Sequence, residues 1–521
     1  MEGRKKALAY GFVVYIGAFL YYLIYYDCGI NLADEGWFIN TTLRIMDGQV
    51  PFRDFYYYPP ALNYVLALIF KLFGANILYE RLLWVAVLSG SVTLAYVLSR
   101  KLLSSLFWML PPLLMLTVPG PWHKSSIPFL LLSGAMVGYR YIERKNGRQA
   151  FLCGLVGGAA LYFRLDTSGF IIIALTVLVF AANFLVRPLG EAQARRWLSE
   201  TASLAAGVLT AIFPAMVFMG YLEYKMGALT YMLKDTFSAH STLGLPFPSP
   251  GLSLLSENFR EFFYSLSFYM PPLIIAVVMV TLAARYAKKG LDEEGLRLLL
   301  LCVLGAFGYN QTLYRTDHAH LLQSVQVPYI LGAYVMQVIY RSLPERAPAL
   351  RAVVAALSAI LCAGYVYMNV TIYDFYTGTI GVIKDSTETL NIPGAGVRLK
   401  PDIARRTEDL VGFIQKNTSP NDKILVLPYD PMIYFLSGRK NATSEDGVFQ
   451  GTLPGSAEED AFISGVERSR VPLVVFKDVK FAASDESRLK IYNRRLYEYV
   501  RANYQLAHES GQFQVYIRDR G

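Results

Sequence analysis

Eleven long apolar segments occupy most of the first 370 residues, and they restrict the fold more strongly than any other feature of the sequence. The segments are residues 7–26, 78–99, 102–118, 126–142, 149–163, 169–186, 201–221, 263–284, 297–313, 321–340 and 352–370. An α-helix of about 20 apolar residues crosses the ~30 Å of hydrocarbon in a bilayer. Because 54% of the residues are hydrophobic and only 17% are charged, the composition also differs from that of a soluble domain. The sequence therefore predicts a polytopic α-helical membrane protein.

Lysine and arginine are concentrated in every second loop between these segments. The clusters lie within Arg4–Lys6, Arg100–Lys101, Arg140–Arg148, Arg187–Arg196, Arg285–Arg297 and Arg341–Arg351, whereas three short intervening loops contain only Lys124, Arg164 and Arg315. Positive residues collect in cytoplasmic loops, so we expect the N-terminus inside and the C-terminal part outside. Because most of the net charge of +9 lies in these loops, it does not indicate a nucleic-acid partner.

Two apolar segments need separate interpretation. Residues 7–26 follow a basic cluster and lack a small-residue cleavage site, so we expect a retained transmembrane helix rather than a signal peptide. Residues 61–73 are only about thirteen residues long, and counting them as a span would invert the loops that follow. We therefore expect a helix that lies in the outer membrane interface.

The interiors of the eleven segments contain essentially no ionisable residues. Ion-coupled transporters place such residues near the bilayer midplane, where the coupling ion is bound. The pattern therefore argues against a proton or sodium pump. The four cysteines show no spacing typical of disulfides or of a zinc site.

Two acidic residues follow the first span closely. Residues 33–46 predict a helix with one apolar side, and Asp34 and Glu35 would lie in its first turn. The positive end of the helix dipole favours ionised carboxylates there, and an ionised carboxylate can accept a proton from an attacking hydroxyl. Alternatively, Asp34 serves only as the N-cap of the helix, and the spacing alone does not separate the two roles.

Each of three other outer loops carries a cation beside acidic or imidazole groups. These loops contain Arg164, Lys124 and Arg315, together with the further candidates Asp166, His123, Asp317 and His318. Guanidinium and ammonium groups bind phosphate and stabilise the negative charge that develops on a leaving phosphate. The alternative for Arg164 is a snorkelling side chain with a local partner.

Metal binding stays open from the sequence alone. Asp317, His318 and His320 include typical metal-ligand types, but a zinc site needs three or four ligands in fixed geometry. No cofactor is certain, and a divalent cation remains an option. Tyr58 ends a run of three tyrosines before two prolines, which is typical of an anchor in the membrane interface; we keep it as a further site candidate.

The composition changes after residue 370. Residues 372–400 are polar and predict a linker or cap, and residues 401–521 alternate between helical and strand patterns. Expected elements are helices over 401–417 and 484–503 and strands over 423–428, 471–477 and 512–518. The alternation predicts a small α/β domain, which we expect outside the membrane. The remaining domain expectations are a transmembrane catalytic module over 1–371 and outer juxtamembrane helices within 27–77.

Several motifs resemble the GT-C superfamily of membrane glycosyltransferases. An Asp-Glu pair after the first span is followed by DGQVPFRDFYYYPPALNYVLALIFKLFG over residues 47–74 and by a second span that contains an arginine. The similar branch includes protein O-mannosyltransferases and the aminoarabinose transferases of lipid A. FRLD at 163–166 and RTDHAH at 315–320 also resemble its bacterial members.

The resemblance implies an inverting glycosyltransferase in the bacterial cytoplasmic (inner) membrane. Such enzymes take a sugar from a polyprenyl-phosphate carrier at the outer face and transfer it to a hydroxyl of a glycan, lipid or protein acceptor. The catalytic base of the family maps onto Asp34, with Glu35 beside it. One departure is that Tyr58 and two prolines stand where the aminoarabinose transferases carry a lysine, so the acceptor is not implied by that subgroup.

Two other function classes compete with this one. A lipid-linked-sugar transporter or flippase predicts broken helices and polar groups at the midplane, which the segments lack. A non-catalytic membrane sensor or scaffold gives no reason for acidic and cationic clusters to occur on the same side of the membrane.

Overall fold

A computed structural model describes residues 2–55, 58–120, 122–186, 191–227, 247–248, 251, 258–371, 379–481 and 485–519. Tyr56 and Tyr57 of the tyrosine run and residues 372–378 of the expected linker lie outside these ranges. Fourteen α-helices precede residue 372 in the described part of the chain. They are α1 (Glu2–Tyr22), α2 (Asp34–Met46), α3 (Ala61–Phe73), α4 (Ile77–Leu102), α5 (Leu110–Thr117), α6 (Ser126–Arg144), α7 (Gly147–Ala159), α8 (Leu165–Phe184), α9 (Glu191–Met226), α10 (Phe259–Lys289), α11 (Glu293–Tyr314), α12 (His318–Leu322), α13 (Gln326–Ser342) and α14 (Pro348–Thr371).

Six helices of the described residues are long and apolar enough to cross a membrane. These stretches are Ile77–Leu102, Leu165–Phe184, Gln193–Leu222, Arg260–Lys289, Glu293–Leu313 and Pro348–Thr371. Shorter apolar helices occur at Leu8–Tyr22, Ala61–Phe73 and Leu106–Thr117. The protein is therefore a multi-pass α-helical membrane protein, while the number of eleven crossings stays a prediction.

Two of the predicted segments are interrupted in the structure. The segment 102–118 begins with a 3₁₀ turn at Ser105–Met109, and α5 starts only at Leu110, just before Pro111 and Pro112. Proline has no backbone N–H, so it is tolerated in the first turn of a helix but not further inside. The segment 321–340 is divided between α12 and α13 by the turn at residues 323–325, and Asp317 caps the start of the short helix α12 through the backbone N–H of His320.

The chain folds into two compact units. The first comprises Met1–Ile24, Trp84–Val217 and Pro246–Gly381, and we call it the helical unit. The second comprises Tyr25–Leu83, Phe218–Leu245 and Val382–Gly521, and we call it the α/β unit. The α/β unit therefore combines the segment after the first helix with the C-terminal part of the chain.

Close helix packing in the helical unit depends on glycine. A Cβ atom on Gly154 of α7 would lie 1.9 Å from the carbonyl oxygen of Leu204 on α9, and one on Gly207 would lie 2.1 Å from that of Phe151. A Cβ atom on Gly138 of α6 would lie 2.4 Å from the side chain of Leu300 on α11. Small residues at such crossings let backbones approach and maximise dispersion contacts, which drive helix association in lipid.

The α/β unit contains seven strands among its described residues. They are β1 (Glu388–Thr389), β2 (Arg398–Leu399), β3 (Lys423–Leu427), β4 (Lys440–Asn441), β5 (Leu473–Lys477), β6 (Tyr504–Ser510) and β7 (Phe513–Arg518). Its helices after residue 378 are α15 (Thr379–Asp385), α16 (Pro401–Asn417), α17 (Met432–Ser437), α18 (Ser456–Arg468), α19 (Leu489–Tyr492) and α20 (Arg494–Asn503). Thus the predicted small C-terminal β-containing domain is present.

Five strands form one mixed sheet in the order β4-β3-β5-β7-β6. Strands β4, β3 and β5 are parallel, whereas β7 pairs antiparallel with β5 and with β6. One face of β3 packs Ile424 and Val426 against α16 and α17, and the other packs Leu425 and Leu427 against α18 and α20. The alternation of side chains along a strand thus gives the sheet a hydrophobic layer on each side.

The sequence prediction was wrong about the last helix. Instead of one helix over 484–503, the described residues form a 3₁₀ turn at Asp485–Ser487 and the separate helices α19 and α20. The break falls at Asn493, which is 1% exposed and donates its side-chain N–H to the carbonyl oxygen of Leu453. This tertiary hydrogen bond outweighs the local preference for a continuous helix.

Helix α2 is built into the α/β unit. A Cβ atom on Gly36 would lie 2.2 Å from the backbone nitrogen of Met432 on α17, and that nitrogen donates to the carbonyl oxygen of Leu32 at 3.0 Å. At the other end of α2, buried Arg44 donates to Asp446 at 2.6 Å. These contacts fix both ends of the helix that carries Asp34.

Candidate functional site

Asp34 is the first residue of α2, and its neighbour Ala33 occupies the N-cap position. The side chain of Asn31 accepts hydrogen bonds from the backbone N–H groups of Ala33 and Asp34, each at 2.9 Å. Asn31 thus supplies the side-chain oxygen that helix starts require. The alternative in which Asp34 is only the N-cap therefore does not describe this helix.

The carboxylate of Asp34 contacts the C-terminal part of the chain. The hydroxyl of Tyr429 donates to Oδ1 of Asp34 at 2.8 Å. Tyr429 is buried, with 7% of its surface exposed, whereas Asp34 is partly exposed. A phenol hydrogen bond orients a carboxylate while leaving its negative charge in place, and a carboxylate has about four acceptor sites in total.

Glu35 has a different environment from its neighbour. Its two oxygens accept from Arg81 at 2.6 and 3.0 Å, and both side chains are almost fully buried. Arg81 also donates to the backbone carbonyl oxygens of Tyr26, Cys28 and Gly29. Bidentate Arg–carboxylate pairs give geometric specificity, so this pair fixes the loop before α2 relative to the start of α4.

The helical unit brings a second group of sequence-predicted residues together. The ammonium of Lys124 lies 3.3 Å from Nε2 of His320, and Nδ1 of His320 lies 2.7 Å from Oδ1 of Asp317. Nε of Arg315 lies 2.7 Å from the other oxygen of Asp317 and forms an ion pair with it. We call Lys124, His320, Asp317 and Arg315 the cation cluster.

The charges of the cation cluster follow from its hydrogen bonds. Burial raises the pKa of Asp317, but the hydrogen bond from His320 and the charges of His320 and Arg315 outweigh it and lower this pKa to about 2. Burial, assisted by the charge of Lys124, lowers the pKa of His320 below its usual value. At neutral pH His320 is therefore neutral, donates to Asp317 and accepts from Lys124. The cluster then holds two cations, Lys124 and Arg315, and one carboxylate, Asp317.

Arg164 and Asp166 form a third group, at the N-terminal end of α8. Their side chains make two hydrogen bonds of 3.0 Å. Asp166 also accepts from the side chain of Gln311 on α11 at 2.6 Å. Because Arg315 follows Gln311 by one helical turn, Arg164 and the cation cluster lie at the same end of the α8–α11 pair. The local partner that the snorkelling alternative requires is thus present, although that end of the pair also holds two further cations.

The remaining sequence candidates occupy other positions. His318 is 7% exposed; its Nε2 lies 2.8 Å from Oδ1 of Asn369, and its ring packs against Tyr264. His123 lies in the 3₁₀ turn Trp122–Lys124. Tyr58 is 43% exposed, and its ring packs against Trp37 of α2. Among the described residues, no three His, Cys, Asp or Glu side chains are grouped as metal ligands.

The structure thus sorts the sequence candidates into two groups. Asp34, Glu35 and Tyr58 belong to the α/β unit, and the cation cluster, Arg164 and Asp166 belong to the helical unit. Sequence reasoning overlooked the pairing of Tyr429 with Asp34 and of Arg81 with Glu35. The position of Tyr429, in a turn directly after a buried strand, marks that turn as a possible site but does not reveal Asp34 as its partner.

No protein-family model matches the sequence, and no curated protein matches it either. Solved structures share its fold. ArnT from Cupriavidus metallidurans in the apo state has 12% sequence identity and a TM-score of 0.52, over 99% of this chain and 97% of that one. The oligosaccharyltransferase AglB from Archaeoglobus fulgidus, in complex with an inhibitory peptide and a dolichol-phosphate, has 13% identity and a TM-score of 0.51, over 98% and 74% of the two chains.

Both of these structures are GT-C membrane glycosyltransferases. The fold that the sequence predicts is therefore confirmed: the chain has the GT-C fold, with membrane-spanning helices and a small C-terminal α/β domain.

Proposed function

We propose that the protein is an inverting glycosyltransferase that moves a sugar from a polyprenyl-phosphate donor to an acceptor hydroxyl. The GT-C fold and the placement of Asp34 support this function. The observation that carries it is the contrast between two adjacent carboxylates: Glu35 is buried in a pair with Arg81, whereas Asp34 is partly exposed and receives a phenol hydrogen bond from Tyr429. A partly exposed carboxylate at a helix start can act as a general base.

The reaction is a single displacement at the anomeric carbon. Asp34 accepts the proton of the acceptor hydroxyl, and the oxygen of that hydroxyl forms a bond to the anomeric carbon of the donor sugar. The bond from this carbon to the phosphate oxygen breaks, and the electron pair leaves with the polyprenyl phosphate. Tyr429 and the Glu35–Arg81 pair position the base without touching the reacting atoms.

Cations must stabilise the leaving phosphate as its charge develops. We assign this role first to Lys124 and Arg315, because the cation cluster holds two cations and one carboxylate when His320 is neutral. Arg164 acts with them, although it shares its charge with Asp166 at 3.0 Å. AglB was solved with a dolichol-phosphate, which is the same class of lipid phosphate.

The orientation belongs to the same proposal. We place the protein in the cytoplasmic membrane of a bacterium, with its N-terminus inside and the α/β unit outside. Residues 61–73 then lie in the outer interface as α3, whose thirteen residues extend about 20 Å at 1.5 Å per residue. That length is short of the ~30 Å of hydrocarbon.

An Asp34→Asn variant tests the proposal. Purified protein in proteoliposomes receives a radiolabelled polyprenyl-phosphate sugar and a membrane extract as the acceptor source. We expect Asp34→Asn to lose turnover by at least about 100-fold, as for removal of a general base, while its affinity for the labelled donor stays within twofold of the wild type. The matched control is Asp47→Asn at the other end of α2, where Asp47 pairs with Lys440 at 2.8 Å.

Three results would contradict the proposal. Full activity of Asp34→Asn would remove the base from this residue. Equal losses in Asp34→Asn and Asp47→Asn would indicate damage to α2 rather than to the chemistry. Movement of the labelled lipid between leaflets without any sugar transfer would favour the transporter.

A further inference from the structure

The connections between the parallel strands of the α/β unit diverge at the carboxyl ends of those strands. From β3 the chain passes through α17, on one face of the sheet, to β4 on one side of β3. It then passes through α18, on the opposite face, to β5 on the other side of β3. Where consecutive connections diverge in this way, the carboxyl ends of the strands enclose a crevice in which open α/β sheets bind ligands.

The three loops at this end of the sheet meet each other. Asp430 follows β3 and pairs with Lys477, the last residue of β5, at 2.7 Å. The loop after β4 is attached by the backbone N–H of Val448, which donates to the carbonyl oxygen of Pro428 at 2.8 Å. Each parallel strand therefore contributes its following loop to the same crevice.

A continuous row of aromatic rings runs from Asp34 into these loops. In order, the rings are Tyr58, Trp37, Tyr429, Phe449 and Phe481, with successive ring centroids 5.4, 5.9, 4.6 and 5.1 Å apart. We call this set the aromatic row. Phe449 follows β4, Phe481 follows β5, and Tyr429 donates to Asp34.

The aromatic row is accessible along most of its length. Tyr58 is 43% exposed, and Trp37, Phe449 and Phe481 are partly exposed. Gly447 allows the backbone to pass close to two rings of the row. A Cβ atom at this position would lie 2.5 Å from the ring of Tyr429 and 2.9 Å from the ring of Phe449. Exposed aromatic side chains that lie together, rather than singly, mark a binding surface.

The chemistry of the crevice disfavours a phosphate ligand. Phosphate sites of such folds use backbone N–H groups of a glycine-rich turn at a helix start. Here the turn after β3 reads Pro428-Tyr429-Asp430-Pro431. Pro431 has no N–H, and Asp430, which is 2% exposed, lies 2.7 Å from Lys477, so this turn presents an acidic side chain where a phosphate site needs donors.

A sugar ring fits the same groups. It presents an apolar face of C–H bonds, which packs on aromatic rings, and a rim of hydroxyls, which hydrogen-bond to carboxylate and ammonium groups. A buried ion pair adds little net stability compared with apolar packing, so folding alone does not account for the Asp430–Lys477 pair, whose groups can hydrogen-bond to a polar ligand.

We propose that the aromatic row and the Asp430–Lys477 pair form an acceptor subsite that binds a carbohydrate. One ring of the acceptor stacks in the crevice, and a hydroxyl further along the acceptor reaches Asp34 beside Tyr429. This inference rests on the proposed function and narrows its acceptor from a glycan, lipid or protein to a saccharide.

The test measures binding of the full-length protein in detergent to two arrays. One array carries lipid-free bacterial surface saccharides, and the other carries peptides that contain serine and threonine. We expect the wild type to bind saccharides. Phe449→Leu and Phe481→Leu should each raise the Kd about fivefold, since an aromatic contact is worth about 1 kcal/mol beyond its area. Leucine keeps both positions apolar, so that folding is preserved.

Phe413→Leu is the matched control. Phe413 lies on α16 and is partly exposed, and its ring stacks on His508 at 4.4 Å, away from the row. Its Kd should equal that of the wild type. Absence of saccharide binding, binding of peptides alone, or an unchanged Kd in the Phe449→Leu/Phe481→Leu double variant would each overturn the subsite. Loss of transfer in Asp34→Asn without saccharide binding would leave the proposed function intact, so the two failures are distinguishable.

Discussion

Replacing Glu35 with alanine will leave the charge of Arg81 inside the protein without its counter-ion. The side chains of Arg81 and Glu35 are 1% and 5% exposed, and their shortest contact is 2.6 Å. Removing one partner of such a buried pair costs about 3–5 kcal/mol, because the remaining charge is desolvated and uncompensated. For a unit of 150–250 residues this free energy corresponds to a fall of roughly 6–20 °C in the unfolding midpoint.

The measurement is a heating series on the full-length protein in detergent, with the monodisperse fraction determined by size-exclusion chromatography. A double-mutant cycle with Glu35→Ala, Arg81→Ala and the double variant isolates the pairwise free energy. We expect the double variant to be about 3 kcal/mol more stable than the sum of the single losses. Asp34→Ala is the control, since Asp34 is the adjacent, partly exposed acid on the same helix.

Two outcomes would refute this reasoning. A midpoint of Glu35→Ala within about 2 °C of the wild type would show that the pair does not hold the loop before α2. An equal fall in Asp34→Ala would show that any charge removed from the start of α2 has the same effect. If Glu35→Gln kept its midpoint but lost turnover, Glu35 would belong to the chemistry instead.

Three further predictions concern the site. Tyr429→Phe removes the hydrogen bond to Asp34. A hydrogen bond to a charged group contributes about 1.5–3 kcal/mol, so turnover should fall at least about tenfold. The KM for the labelled donor should stay unchanged. Lys124→Gln should lower turnover about 100-fold by loss of a phosphate contact, whereas Lys101→Gln, which breaks an exposed pair with Glu143, should leave turnover unchanged. The pKa of Asp317 is lowered to about 2. The stability that its carboxylate contributes is therefore present above about pH 4 and is lost as the pH falls towards 2. The thermal midpoint of Asp317→Asn should differ from that of the wild type at pH 6, and the two midpoints should converge near pH 2.

The six long apolar helices could be predicted closely because an apolar run of about 20 residues is itself the physical cause of a membrane helix. The predicted segment 352–370, for example, corresponds to the helix Pro348–Thr371. The errors occurred where a local feature interrupts such a run. Pro111 and Pro112 delay α5, and Asp317 caps a short helix of its own.

In the C-terminal part, strands whose residues are mostly buried were predicted correctly, and the strand whose residues are mostly exposed was not. Strand β3 is buried in four of its five residues, and its apolar sequence identifies it. Strand β6, Tyr504–Ser510, is mostly exposed and polar, so no hydrophobic pattern distinguishes it. Its pairing with β7 alone defines it as a strand.

Only those features of the candidate site that depend on neighbouring residues in the sequence could be predicted. Asp34 was singled out by its place at a helix start together with the resemblance to the GT-C enzymes. Its partner Tyr429 is 395 positions away, and the partner of Glu35 is 46 positions away. Pairings over such distances depend on the tertiary fold, and a single sequence contains no periodicity or motif that specifies them.

The joining of residues 25–83 with residues 382–521 in one unit has a consequence for biosynthesis. A ribosome that adds about 5–20 residues per second needs roughly 20–80 s to travel from Asp34 to the codon of its hydrogen-bond donor. Throughout that interval the nascent chain carries an acidic loop without the tyrosine that orients it. Under the proposed function, we expect activity to begin only when translation is nearly finished, and a chain truncated before Tyr429 to lack the residue that orients its base.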